Sequence, residues 1–161
     1  GFKKLMELPS FEFGPISLRI CYFALKNNSL VQKLFLEEKV NLDKVLSSLT
    51  LSFEQIDFSK TRKKDLKYEL ILPISAIDAA EEAAKIVEVL GQGPNGAKVI
   101  SDLTGIFPCL CELAFSSFET ENCMKIVTWF RYGLEERVSS AARDAIICLL
   151  LSSKKAKEIF S

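Results

Sequence analysis

Histidine is absent from all 161 residues. That removes Ser-His-Asp and Cys-His catalysis, the commonest general base and half of the usual zinc ligands. Carboxylate or lysine chemistry remains open. An excess of one charge is lacking too: Lys plus Arg total 21, Asp plus Glu total 21, and the net charge is zero. A generic nucleic-acid binder carries a basic excess, so nucleic acid is not the expected partner, although a local basic patch fits within a neutral total. Long apolar runs are missing as well. The longest, Ala145–Leu151, falls far short of the ~20 residues that span a bilayer, so no membrane partner is expected. The N-terminal Gly-Phe-Lys-Lys-Leu-Met-Glu-Leu-Pro has no signal-peptide apolar stretch. Its lack of an initiator Met predicts a piece of a longer chain.

Five cysteines are present, Cys21, Cys109, Cys111, Cys123 and Cys148, an odd count mostly set among Leu, Ile and Phe. They read as reduced thiols packed as small hydrophobes, which implies an intracellular setting, cytoplasmic or nuclear. Cys109-Leu-Cys111 is C-x-C rather than C-x-x-C, so no metal site is assigned.

Helical periodicity dominates the rest. Ile16–Lys26 sets Ile20, Phe23 and Ala24 on one face after Gly14-Pro15, a helix start. Ser29–Glu38 groups Leu30, Leu34 and Phe35 behind a Ser cap, and Asn41 is expected to cap a helix carrying Leu42, Val45, Leu46 and Leu49. Helices resume near Ala76 and follow as Ala79–Leu90, Ala97–Leu103, Ile106–Ser117, Glu121–Leu134, Ser139–Leu151 and Lys154–Phe160. No alternating strand pattern competes, so the predicted class is all-α.

Gly91-Gln-Gly-Pro-Asn-Gly96 spells G-x-G-x-x-G, the pattern of dinucleotide loops. That chemistry needs a buried strand before the loop, whereas Ala79–Leu90 is helical by composition and period. Gly91 therefore reads as a helix C′ residue and Pro94 as the opening of a short helix. No nucleotide or other cofactor is predicted.

Two segments stand out for partner binding. Lys60, Arg62, Lys63 and Lys64 form a basic run inside the interruption at Ser52–Ile74, where Tyr68–Ile74 suits an extended segment. This run reads either as a solvated loop or as a patch for an acidic partner or nuclear import. Glu121–Leu134 places Cys123, Ile126, Val127, Phe130 and Leu134 along a helical stripe, with Trp129, Arg131 and Tyr132 beside it. Those three types dominate interface energetics, against the alternative that this helix simply packs inward. The neighbouring carboxylates Glu81/Glu82 and Glu135/Glu136 read as solvated charge.

Three stretches superpose without gaps: Leu25–Phe35, Leu90–Ile100 and Leu150–Phe160. In each, an apolar helix ends, a polar turn follows, and a short helix closes on two large apolar residues, Leu34-Phe35, Val99-Ile100 or Ile159-Phe160. Upstream, Cys21, Ile86 and Ile146 correspond. Downstream, Leu42, Val45, Leu46 and Leu49 match Ile106, Cys109, Leu110 and Leu113 after one deletion. Helix groups whose apolar face is too wide to bury alone stack into one continuous core. This pattern, with Leu103-Thr-Gly-Ile-Phe-Pro-Cys-Leu-Cys-Glu-Leu113 above all, resembles armadillo-type repeats. The resemblance implies a right-handed α-solenoid of about three irregular repeats, near 14–51, 76–118 and 121–161, with an insertion at 52–75, in a single domain over 1–161. It further implies a non-enzymatic scaffold that binds another protein, as a peptide or helix, along its longer helices. The family's Asn and Trp ladder is not reproduced: Asn27, Gln92 and Ser152 occupy the nearest positions. A nuclear or chromosome-associated (meiotic) scaffold and an RNA-binding helical repeat are the alternatives.

Overall fold

The structure is a computed structural model describing the backbone of residues 2–7, 10–50, 62–64, 67–69, 74–115, 117–120, 123–128 and 134–161, with side chains over 2–7, 14–50, 76–114 and 136–161. Nine helices and two short strand pairs are described, in the order α1 (Phe2–Met6), α2 (Ser10–Leu25), α3 (Ser29–Leu36), α4 (Lys39–Leu49), β1 (Arg62–Lys64), β2 (Lys67–Glu69), α5 (Ile74–Gly91), α6 (Pro94–Ser101), α7 (Ile106–Phe115), β3 (Ser117–Thr120), β4 (Cys123–Thr128), α8 (Leu134–Ser152) and α9 (Lys154–Phe160). The fold is helical, and every described core side chain belongs to a helix.

Helix lengths recur as long, short, medium: α2-α3-α4, then α5-α6-α7, then α8-α9. Like touches like across these groups. Helix α5 packs between α2 and α8, α6 between α3 and α9, and α4 lies against α7. The medium helix of each group also packs on the following long one, α4 on α5 and α7 on α8. Helix α5 is consequently buried over most of its circumference, with Ala80, Ala83, Ala84, Ile86, Val87 and Leu90 essentially inaccessible.

The three short helices start at equivalent places by different chemistry. Asn28 caps α3, its side chain accepting from the Val31 N–H at 3.2 Å, and Ser153 caps α9 by accepting from Ala156 N–H at 3.2 Å. Gly93 caps α6 without a side-chain bond, and Pro94 at the first helical position loses no partner by lacking an N–H. Asn27 turns the corner in the left-handed region at φ 58. In the middle copy an ideal Cβ on Gly96 would lie 2.0 Å from the Leu90 carbonyl oxygen, so α6 rests on the end of α5 through bare backbone. Between α6 and α7, Gly105 takes φ +86, which L side chains rarely adopt.

Several local expectations are corrected. Glu121–Leu134 is not a continuous helix: Cys123–Thr128 pairs antiparallel with Ser117–Thr120, Phe118 opposite Val127 and Glu119 opposite Ile126. Consecutive β-branched Ile126, Val127 and Thr128 favour the pleated backbone, and their apolar spacing suited either period. The long helices begin earlier than foreseen, leaving Pro15 inside α2 and Ser139 inside α8, where its buried hydroxyl donates to the Leu113 carbonyl at 2.9 Å. Asn41 caps nothing. It is buried within α4, its Nδ2 donating to the Phe35 carbonyl at 3.0 Å and tying α3 to α4. Gly91 is the last helical residue of α5, not the residue beyond it. Finally, the foreseen face of α2 points the wrong way: Ile20 and Phe23 are exposed, as are Leu30 and Leu34 on α3, while Leu18, Cys21, Leu25 and Phe35 form the core.

Candidate interaction surface

Polar residues recur along α5 at Asp78, Glu81, Lys85 and Glu88, steps of three and four that draw one line along a helix. Because α2 and α8 flank α5, that line becomes the middle of a row crossing all three long helices. Arg137 of α8 donates to Asp78 at 3.0 Å and lies 3.5 Å from Glu81. Lys85 stands 3.5 Å from both Glu81 and Glu82. Arg19 of α2 reaches Glu82 through Nε at 3.2 Å. The Tyr22 ring lies beneath two ammonium groups, Lys85 at 5.6 Å and Lys26 at 5.9 Å from its centroid. Arg19 and Arg137 are 59% and 48% exposed at their side chains, against 33% for Lys85 and 12% for Glu81. The charges on α5 thus sit lower than the cations on either side.

Glu82 departs from its expected role as solvated charge. Its side chain is 2% exposed, and Oε2 has no hydrogen-bond partner among the described residues. A carboxylate removed from water requires compensating cations; Arg19 and Lys85 supply them. The signal for this was weak: Glu82 follows the same i, i+3 line as its apolar neighbour Ala79, and a partner 63 residues away is not legible from spacing.

Further along the row, burial raises the Glu88 carboxyl above its ordinary value, and the nearby Asp144 adds to this while Lys85 opposes it. Burial likewise raises the Cys148 thiol, helped by Glu88 and Asp144. On the other side of the stack, Thr50 Oγ1 and Cys109 Sγ are 3.3 Å apart, joining α4 to α7. Burial raises both Cys111 and Glu112 beside it. Among the described residues, no group of three or more Cys, Asp and Glu side chains is placed to hold a metal ion, and no helix is long and apolar enough to cross a membrane.

Of the residues singled out for partner binding, Lys60, Trp129, Arg131 and Tyr132 lie outside the described residues. Arg62, Lys63 and Lys64 form β1, whose backbone pairs antiparallel with β2, placing Arg62 opposite Glu69, Lys63 opposite Tyr68 and Lys64 opposite Lys67. Strand β2 in turn adjoins β4, so the two strand pairs lie side by side. The glycine motif is flanked by α5 and α6, helix–turn–helix rather than strand–turn–helix. Its glycines serve contact between helices: a Cβ on Gly91 would meet Leu149 of α8 at 3.2 Å, and one on Gly96 would strike α5.

No family model, curated protein or solved structure matches the chain. A row of alternating charge held by neighbouring helices offers hydrogen-bond donors and acceptors in fixed positions, suited to a segment carrying both signs of charge.

Proposed function

We propose that the chain is a non-enzymatic protein-interaction module, a right-handed α-solenoid of about three irregular armadillo-like repeats within a larger intracellular scaffold. The observation that carries this reading is the stacking of counterparts, α2 on α5 on α8, which is how repeat units bury a face none can bury alone. A partner helix or extended segment docks across the long helices, along the row from Arg19 through Lys85 to Arg137. The residues Lys60, Arg62, Lys63, Lys64, Trp129, Arg131 and Tyr132 supply a second contact, aromatic and basic.

The test is binding of a panel of helical and extended peptides of mixed charge, read by fluorescence anisotropy. Lys85→Glu and Arg137→Glu are expected to weaken the best binder about tenfold each, the order of one lost interfacial ion pair. Trp129→Ala and Arg131→Glu test the second contact in the same assay. Binding unchanged by all four substitutions refutes the assignment. A salt-sensitive shift with single-stranded RNA, with no peptide bound, favours the RNA-binding alternative. A thermal shift with ATP, GTP or NAD brings an enzyme back into consideration.

A further inference from the structure

Most charges of the row across the long helices are spent on one another. Arg137 holds Asp78 and Glu81, and Lys85 stands between Glu81 and Glu82. Two cations on α2 are not spent. Arg19 gives only its Nε, to Glu82 Oε1, and its two terminal nitrogens have no partner among the described residues. Lys26 is exposed and meets the Tyr22 ring, with no carboxylate against it among the described residues. Both are drawn toward Lys85. Arg19 Nε and Lys85 Nζ share one oxygen, Glu82 Oε1, at 3.2 and 3.5 Å. Lys26 and Lys85 lie 5.9 and 5.6 Å from the centroid of a single ring. Three cationic heads thus gather around Tyr22 on the seam between α2 and α5. The carboxylates among them lie lower, Glu82 buried and Glu81 mostly covered, while Arg19 stands exposed. The charge a partner would touch here is positive.

The next seam has the reverse sign. Glu88 precedes Gly91 on α5 by one turn, and Asp144 precedes Cys148 on α8 by one turn. A Cβ on Gly91 would lie 3.7 Å from Cys148 Cβ, which brings the two carboxyls close across the seam between α5 and α8. Neither forms an ion pair among the described residues, and Lys85, the cation nearest in sequence to Glu88, is already shared by Glu81 and Glu82. The row is therefore neutralised in its middle, with unspent donors at the α2 side and unspent acceptors between α5 and α8.

We infer that the partner is a protein segment that lays a Glu or Asp carboxylate against Arg19 and Lys26, above the Tyr22 ring, and sets a Lys or Arg over Glu88 and Asp144. The inference rests on the row as the docking surface and deepens that reading by giving each end a sign. The terminal nitrogens of Arg19 suit a carboxylate, which accepts from both at once, and Lys26 adds a third donor. Packed helices stand about 8–10 Å apart, so one and a half spacings put the two ends roughly 12–15 Å from each other. An extended segment covers that distance in about four residues and a helix in about nine. A nucleic-acid strand fits less well, because its closely repeated phosphates would run onto Asp78, Glu81, Glu88 and Asp144.

The probes are fluorescein-labelled, alanine-based helical peptides of equal length in three kinds. One carries glutamates in one half and lysines in the other, the block centres about nine residues apart; the second carries glutamates alone and the third lysines alone. Anisotropy at low salt with the full 161-residue chain should show the two-sign peptide binding most tightly. Lys26→Glu and Asp144→Lys, both at exposed positions that leave the partners of Glu82 in place, should each weaken it about threefold to fivefold, the order of one exposed ion pair. Each should also create a gain: Lys26→Glu for the lysine peptide and Asp144→Lys for the glutamate peptide, by a similar factor. A misfolded variant produces no such gain. A one-sign peptide that binds the parent as tightly as the two-sign peptide overturns the inference. Weakening by Lys85→Glu, with no response to Lys26→Glu or Asp144→Lys, overturns it as well and leaves the row standing as a docking surface. A parent chain that binds none of the three also overturns it, and the wider peptide panel then decides the row.

Discussion

Replacing Gly96 with alanine sets two effects of opposite sign against each other. Within a helix, alanine is favoured over glycine by about 1 kcal/mol. At this position, however, the new methyl would stand 2.0 Å from the Leu90 carbonyl oxygen and 3.0 Å from its carbon, with Leu36 Cδ1 at 3.6 Å. A carbon and an oxygen need roughly 3.2 Å or more, so α6 must move off α5 by about 1 Å, and rigid backbone gives no easy relief. That shift drags Ala97 and Ile100, both inaccessible to solvent, out of register with the core. Overpacking against rigid backbone costs about 2–3 kcal/mol, the upper part of the usual range, and after the propensity gain leaves a net loss of about 1–2 kcal/mol. For a domain of this size that lowers the melting temperature by roughly 2–8 °C. Gly93→Ala, three residues away, is the matched control: nothing lies within 4 Å of its Cβ and its φ is −99. It should stay within ~0.5 kcal/mol of the parent. Urea melts of both variants decide the matter. If Gly96→Ala matches or exceeds the parent, α6 does not rest on α5 through Gly96, and the reading of the glycine motif as a packing device is wrong.

Gly105→Ala should cost about 1–2 kcal/mol, the penalty of a left-handed residue with a Cβ, and Gly105→Asn should recover part of it in the same melts. Glu88→Gln tests burial of charge. The folded carboxyl titrates above its ordinary 4.5, so the ionised form disfavours the fold once pH rises through that interval. The variant should melt higher than the parent at pH 7, with the gain vanishing toward pH 4, and a gain constant with pH refutes the assignment. Burial pushes the Cys21 thiol up to about 11, which keeps it protonated and inaccessible at neutral pH. Alkylation followed by mass spectrometry should modify Cys21 only at the global unfolding rate, and rapid labelling in native buffer contradicts its place in the core.

The helical class of the core is legible in the sequence, because apolar residues recur there at steps of three and four. Leu25 with Leu90, and Phe35 with Ile100, are recognisable as equivalents, and both pairs are buried. What sequence spacing misleads on is which side of an outer helix turns inward. Ile20, Phe23, Leu30 and Leu34 have the composition of a core face, yet all four are exposed. Local periodicity records that a face is apolar and carries no information on whether anything covers it. The same limit hides Glu82, whose burial follows from Arg19 on another helix. At Cys123–Thr128 the difficulty differs: six residues with three β-branched side chains satisfy both helical and pleated periods, and pairing with Ser117–Thr120 selects the strand.

The position of α5, covered by α2 on one side and α8 on the other, has a kinetic consequence. An element covered on both sides cannot be released before a neighbour lets go. The amides of α5 should therefore exchange with deuterium more slowly than those of α9, which packs on α6 and α8. Protection graded along the chain in this order would make the molecule a molecular zipper with its latch in the middle rather than at either end.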